Sequence, residues 1–90
     1  MINHGTILIA KDDWAIADVL AEMLTDEGYS VQTVANGCEV LAALQGEPPD
    51  LALIDLSLPG MSGWEVLSAM RAHQIDVPVM IDHDREHPGG

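Results

Sequence analysis

Residues 49–67 read PDLALIDLSLPGMSGWEVL, and this stretch decides the fold. Within it, Leu51 to Ile54 form a continuous apolar run that stops at Asp55, which predicts a buried strand with an acid at its carboxyl end. A loop rich in proline and glycine follows the acid. Ser62 and Glu65 then form a capping box, which predicts that a helix begins there. The stretch is therefore one strand, loop and helix unit.

The same alternation of strand and helix extends over the rest of the chain. Apolar residues at i, i+3, i+4, i+7 and i+8 predict the first helix, through Ile16, Val19, Leu20, Met23 and Leu24. The predicted order is strand Thr6–Ala10, helix Trp14 to Gly28, strand Tyr29–Ala35, helix Cys38 to Gly46, strand Leu51–Ile54, helix Ser62 to Met70 and strand Val77–Ile81. This alternation implies right-handed crossovers, and therefore an α/β fold with a parallel sheet and helices on both faces.

The length and composition indicate one small folded domain, residues 1–90, with a loose tail at 83–90. The chain is 48% hydrophobic, which is too apolar for a disordered protein. No apolar run approaches the roughly 20 residues of a membrane helix. The sequence starts without a secretory signal and contains a single cysteine, Cys38, so we expect a cytoplasmic protein.

The charge is strongly acidic and evenly spread. The formal net charge is -12, and each half of the chain, residues 1–45 and 46–90, contributes -6. Such a surface repels phosphate backbones and anionic lipids, which disfavours direct binding to nucleic acid or membrane. Cations and other proteins are the expected partners.

Acids follow two of the predicted strands, and parallel strands end at the same edge of a sheet. We therefore expect Asp12, Asp13 and Asp55 to converge there, where ligands bind in folds of this type. Clustered carboxylates need a hard cation, and Mg²⁺ uses one or two carboxylates together with other oxygen ligands. Asp12, Asp55 and a loop carbonyl near Ser57 would suffice, while helix capping is the simpler explanation for Asp13.

The runs ILIAKDD, PDLALIDLSLPGMSGWEVL and VPVMI together resemble the receiver domains of bacterial two-component response regulators. The resemblance implies an incomplete flavodoxin-like doubly wound sheet of about four strands and three helices. It also implies that Asp55 is the phosphoacceptor, that Asp12 and the backbone carbonyl of Ser57 bind Mg²⁺, and that Pro59 and Gly63 shape the loop. The implied function is to accept a phosphoryl group from a sensor histidine kinase or phosphotransfer protein. A phosphoacceptor of this kind is not an enzyme.

The chain departs from the family pattern in three ways. Lys11 occupies a position where the family usually has an acid, so we expect weaker Mg²⁺ affinity and a direct contact between Lys11 and Asp55. The fourth strand is followed by Asp82, where the family has Thr or Ser. The chain also stops a strand and two helices short of the family's fold.

Two alternatives to the phosphoacceptor remain open. The first is a pseudo-receiver, a module that binds a protein partner without being phosphorylated, with Lys11 and Asp55 in a permanent ion pair. The second and more remote alternative is a small Mg²⁺-dependent phosphohydrolase. Separately, strand Val77–Ile81 is apolar on both faces and carries no charge that would protect a sheet edge. This pattern predicts either a fragment whose remaining elements were lost or replaced, or pairing with another copy through this fourth strand.

Overall fold

The computed structural model describes residues 4–82 of the chain, and of Asp82 it describes the backbone. The elements are β1 (Thr6–Ala10), α1 (Trp14–Asp26), β2 (Ser30–Val34), α2 (Gly37–Gly46), β3 (Leu51–Asp55), α3 (Gly63–Ala72) and β4 (Val79–Asp82). The predicted alternation of strands and helices is confirmed. The predicted loose tail, residues 83–90, lies outside the described residues.

The four strands form one parallel sheet in the order β2-β1-β3-β4. Strands β1 and β3 are central, which explains why their sequences are continuously apolar. Ala10 is in register with Ile54, and Asp55 is in register with Asp82, so the carboxyl ends of three neighbouring strands lie side by side. The predicted flavodoxin-like α/β architecture is confirmed.

The sheet separates two hydrophobic cores. The larger core lies on the face covered by α2 and α3, and its buried members are Leu8, Ala10, Val40, Leu44, Ala52, Ile54, Leu58, Val66 and Met70. The smaller core lies under α1 and is built on Ile7, Ile9 and Ala17. Alternate residues of β1 and β3 thus face opposite cores, as the period of a strand requires.

The helix boundaries follow from caps that the sequence contains. Ser62 Oγ accepts a hydrogen bond from Glu65 N, and Glu65 Oε1 accepts one from Ser62 N, which confirms the predicted capping box. Helix α2 begins at Gly37, one residue before the predicted Cys38, because the side chain of Asn36 accepts from Glu39 N and caps it. No helix within residues 4–82 is long and apolar enough to cross a membrane.

The structure corrects one predicted strand boundary and shows how far the apolar stripe of α1 is covered. Strand β4 begins at Val79 rather than Val77, because Pro78 has no N–H to donate to the ladder. The apolar stripe of α1 is only partly buried, since Ile16, Val19 and Met23 are all exposed. Helix α1 lies over β1 and β2, and these three side chains are outside the core that the helix forms with the sheet.

Candidate functional site

The site is organised around Asp55, the last residue of the central strand β3. Because the strand is buried, its final residue is carried into the interior, and the side chain of Asp55 is only 7% exposed. Its Oδ1 accepts a hydrogen bond from the backbone N–H of Ser57 at 2.9 Å. This bond, from an aspartate to the N–H two residues later, closes an Asx turn and fixes the carboxylate at the start of the loop.

Lys11 lies against the other oxygen of the same carboxylate. It is the first residue after β1, and the pairing of Ala10 with Ile54 brings it beside Asp55. Lys11 Nζ is 3.7 Å from Asp55 Oδ2, and the lysine side chain is only 3% exposed. Among residues 4–81, Lys11 and Asp55 are the charged residues that are buried. The centre of the site is therefore a buried pair of opposite charges.

The predicted convergence of acids is wrong for Asp13. Asp13 turns away to cap α1, where its Oδ1 accepts from Ala15 N at 3.1 Å and from Ile16 N at 3.3 Å. Asp12 lies next to the buried pair in sequence but is exposed. Within the described part of the chain, no group of three or more His, Cys, Asp or Glu side chains could hold a metal ion. The capping explanation for Asp13 is confirmed.

The loop after Asp55 is held by backbone contacts with α2 and α3. The Pro59 carbonyl accepts from Met61 N at 2.9 Å and from Gly37 N at 3.2 Å, which ties the loop to the first residue of α2. At its far end, Gly63 N donates to the Leu56 carbonyl at 3.3 Å. A Cβ on Gly63 would lie 2.9 Å from Leu56 Cα, so only glycine permits this close approach. The loop is therefore fixed in place next to the carboxylate.

Sequence reasoning missed one functional contact, the Ser57 N–H bond to Asp55. The family resemblance implied only that the backbone carbonyl of Ser57 binds Mg²⁺. An aspartate at a strand end is nevertheless a recognisable signal for an Asx turn. A second feature also emerges only in three dimensions. An open cleft of about 270 Å³ is lined by Lys11 together with Trp14 and Asp18.

The donor types at this edge suit Mg²⁺. They are the carboxylates of Asp55 and Asp12 and the backbone carbonyl of Ser57, and Mg²⁺ uses one or two carboxylates while keeping several waters. Lys11, however, already places a positive charge 3.7 Å from Asp55 Oδ2. These oxygen donors are therefore of the type that Mg²⁺ binds, and the ammonium of Lys11 competes with the ion for Asp55.

Curated proteins resemble this chain over most of its length. Transcriptional regulatory protein TcrA of Mycobacterium tuberculosis (strain ATCC 25618 / H37Rv) is 37% identical over 80 residues, which are 89% of this chain and 32% of TcrA. Sporulation initiation phosphotransferase F of Bacillus subtilis (strain 168) is 39% identical over 81 residues, which are 90% of this chain and 64% of that protein. The chain thus spans about a third to two thirds of these relatives.

Solved structures show the same fold. The N-terminal domain of a response regulator receiver protein from Methanoculleus marisnigri JR1 superposes with a TM-score of 0.85 at 36% identity, covering 97% of this chain and 73% of that one. The chemotaxis response regulator CheY4 of Vibrio cholerae gives 0.84 at 27% identity, covering 99% and 74%. The family model for the response regulator receiver domain matches residues 7–84. The chain therefore belongs to the family of response regulator receiver domains of two-component signalling.

Proposed function

We propose that this receiver domain accepts a phosphoryl group on Asp55 from a phosphohistidine of a sensor histidine kinase or a phosphotransfer protein. The observation that carries the proposal is the position of Asp55. Its carboxylate is buried at the end of a central strand, with one oxygen held by Ser57 N–H and the other facing Lys11 Nζ. Burying a carboxylate is costly, and a purely structural acid would not require this position.

The proposed transfer forms one bond and breaks one bond. A carboxylate oxygen of Asp55 bonds to phosphorus while the phosphorus–nitrogen bond of the phosphohistidine breaks, and the imidazole leaves with that electron pair and takes up a proton. Little covalent chemistry is left for the protein, so catalysis is positioning together with charge neutralisation. The Ser57 N–H orients the carboxylate, and the ammonium of Lys11 offsets negative charge on the incoming phosphoryl group.

We further propose that Asp12, Asp55 and the Ser57 carbonyl hold Mg²⁺. When bound, the ion neutralises charge on the phosphoryl oxygens. Because Lys11 lies beside one of the ligand oxygens, we expect the affinity for Mg²⁺ to be lower than it would be with an acid at this position.

The family supports a signalling role over a catalytic one. Receiver domains are generally signalling modules without enzymatic activity, and they interact with histidine kinases or phosphotransfer proteins. The Bacillus subtilis relative is itself named a phosphotransferase, which fits transfer of a phosphoryl group. We therefore propose a phosphoacceptor that is not an enzyme, that acts in the cytoplasm and that does not itself bind nucleic acid or membrane.

Acetyl phosphate, a small phosphodonor, tests the proposal. Incubation with millimolar Mg²⁺ should add one phosphoryl group by intact mass, and Asp55→Asn should remove it. Asp26→Asn, at the exposed carboxyl end of α1, is the matched control and should incorporate phosphate normally. Circular dichroism checks that each variant is folded. If the folded protein takes up no phosphate, or if Asp55→Asn still takes it up, the proposal is wrong.

A specific observation also favours a second candidate, the pseudo-receiver. The buried pair of Lys11 and Asp55 satisfies the charge of Asp55 without a metal or a phosphoryl group. In that case the domain binds a protein partner constitutively. The fluorescence of Trp14, which lines the cleft beside Lys11, can report Mg²⁺ binding. Saturation at low millimolar Mg²⁺ would count against the pseudo-receiver, and the absence of any Mg²⁺ response together with no phosphorylation would support it.

A further inference from the structure

Lys11 places a fixed positive charge at the end of the sheet, next to the proposed phosphoacceptor. Its backbone N–H donates to the Val34 carbonyl at 3.2 Å, which extends the pairing of β1 with β2 as far as Lys11. The lysine side chain is only 3% exposed, and its Nζ lies 3.7 Å from Asp55 Oδ2. A charge that is already desolvated and held in place costs no reorganisation when a reaction needs it. Lys11 therefore has the position and the charge of a resident counter-ion for Asp55.

The formal charges around Asp55 indicate how far Lys11 replaces a divalent ion. Lys11 contributes one positive charge, while Asp12 and Asp55 contribute two negative charges, so these three residues together have one excess negative charge. An acid in place of Lys11 would leave three negative charges, and a bound divalent cation would then reduce these to one. The three residues with Lys11 therefore have, on their own, the net charge that a wholly acidic set reaches only with Mg²⁺ bound.

The burial of Asp55 favours the lysine over a hydrated ion. Mg²⁺ dehydrates reluctantly and keeps several waters when it binds to carboxylates. The side chain of Asp55 is only 7% exposed, and its Oδ1 already accepts the Ser57 N–H at 2.9 Å. Its Oδ2 faces Lys11 Nζ, so an ion that bound there would have to act against the charge of the ammonium. We therefore expect the ammonium, and not the ion, to neutralise charge at this oxygen.

The contact between Lys11 and Asp55 also suits the phosphorylated state. The distance of 3.7 Å between Nζ and Oδ2 is longer than a hydrogen bond, so the two groups attract each other through their charges. A lysine ammonium has three N–H donors, and a phosphoryl group on the Asp55 carboxylate would bring three acceptor oxygens next to it. Lys11 Nζ is therefore close enough to pair with the phosphoryl oxygens once the group is attached.

We propose that Lys11 supplies the cation of this receiver domain, so that Asp55 accepts and holds a phosphoryl group without requiring Mg²⁺. The inference rests on the proposed phosphorylation of Asp55 and adds the source of the positive charge. The ammonium pairs with the phosphoryl oxygens during the transfer and afterwards, in place of a divalent ion. Binding of Mg²⁺ through Asp12, Asp55 and the Ser57 carbonyl is compatible with this role, but phosphorylation does not depend on it.

Phosphorylation by acetyl phosphate in EDTA is the first test. An oxygen of Asp55 bonds to phosphorus, the bond between phosphorus and the acetyl oxygen breaks, and acetate leaves with that electron pair. By intact mass, the initial rate in EDTA should be at least about a third of the rate in millimolar Mg²⁺, because the neutralising charge is already in place. Uptake that requires Mg²⁺ would overturn this inference and leave the proposed function intact. No uptake in either buffer would overturn both.

Substitution of Lys11 tests whether the lysine is the cation that acts. Lys11→Met should lower the rate in EDTA by at least about a hundredfold, as removal of one preorganised donor does in other sites. Mg²⁺ should restore much of the rate in this variant, because the ammonium no longer competes for Asp55. Arg71→Met, which removes an exposed cation from α3, is the matched control and should react in EDTA like the unmodified chain. If folded Lys11→Met keeps the unmodified rate in EDTA, Lys11 is not the cation.

Nuclear magnetic resonance tests the contact itself and needs no substitution at Lys11. Lys11 is the only lysine in the sequence, so ¹⁵N-labelled lysine gives a single side-chain signal. Acetyl phosphate in EDTA should shift this signal in step with the gain of one phosphoryl group, because the ammonium exchanges a carboxylate for phosphoryl oxygens. In Asp55→Asn the signal should not respond to acetyl phosphate. A signal that stays unchanged while the mass shows phosphorylation would overturn the inference, because Lys11 would then not contact the phosphoryl group.

Discussion

Lys11 Nζ lies 3.7 Å from Asp55 Oδ2, and the two side chains are 3% and 7% exposed. The lysine is positioned by β1 and the aspartate by β3, two strands that pair directly. Buried ion pairs add little net stability, because desolvation opposes the attraction, but removal of one partner leaves an uncompensated buried charge. We therefore expect the free energy of unfolding to fall most when a substitution removes only one of the two charges.

Lys11→Met should lower the free energy of unfolding by about 3 kcal/mol, because it leaves the Asp55 carboxylate buried without its ammonium. Urea denaturation followed by circular dichroism measures the loss. The double variant Lys11→Met/Asp55→Asn removes both charges and should lose less than the sum of the single variants. Strict additivity would show that the two side chains do not interact energetically.

Lys11→Asp should tighten Mg²⁺ binding by at least about tenfold, equivalent to about 1.4 kcal/mol. The change replaces a cation beside Asp55 with a carboxylate, which is the ligand type that Mg²⁺ prefers. A Mg²⁺ titration followed by Trp14 fluorescence measures the affinity, and Lys11→Met separates loss of the cation from gain of an acid. Unchanged affinity in both variants would mean that Lys11 does not compete with the ion.

The strand ends could be located from the sequence, but the orientations of the side chains there could not. An acid that closes an apolar run identified Asp55, and a parallel sheet placed residues 11–13 at the same edge. The sequence favoured capping as the simpler role for Asp13, but both roles suit an aspartate at this point, and only the structure shows its side chain on the first N–H groups of α1. For the Ser57 N–H bond, the signal in the sequence is the strand-end aspartate that accepts it, since the donor is a backbone group that does not depend on residue type.

The extent of burial on α1 was also beyond the sequence pattern. Periodicity identifies an apolar stripe but does not show how much of the stripe another element covers. Leu20 and Leu24 pack over the smaller core, whereas Val19 and Met23 on the same stripe are exposed. The difference depends on where α1 lies on the sheet, which is a property of the packed structure.

Ser62→Ala should destabilise the domain by about 1 kcal/mol, because it removes the side chain that accepts from Glu65 N at the start of α3. For a domain of this size, the loss corresponds to a melting temperature lower by about 4–8 °C. Ser68→Ala, at an exposed position of the same helix, is the matched control and should leave the melting temperature nearly unchanged. Equal shifts in the two variants would contradict a capping role for Ser62.

Gly37→Ala should destabilise the domain and disturb the loop beside Asp55, whereas Gly46→Ala should not. Both glycines belong to α2, one at each end. A Cβ on Gly37 would collide with the Met61 side chain and carbonyl, while a Cβ on Gly46 would meet nothing within 4 Å. Relief of the collision requires movement of the segment whose Pro59 carbonyl accepts from Gly37 N.

We expect Gly37→Ala to lower the free energy of unfolding by about 1–3 kcal/mol, as overpacking does. It should also slow phosphorylation of Asp55 by acetyl phosphate, because the displaced loop carries the Ser57 N–H that orients the carboxylate. Gly46→Ala should be neutral or stabilising by up to about 1 kcal/mol, since alanine favours a helix over glycine. Urea denaturation and the initial rate of phosphate incorporation measure the two effects. If Gly37→Ala is as stable and as reactive as Gly46→Ala, then close packing of α2 against the loop does not hold the site in place.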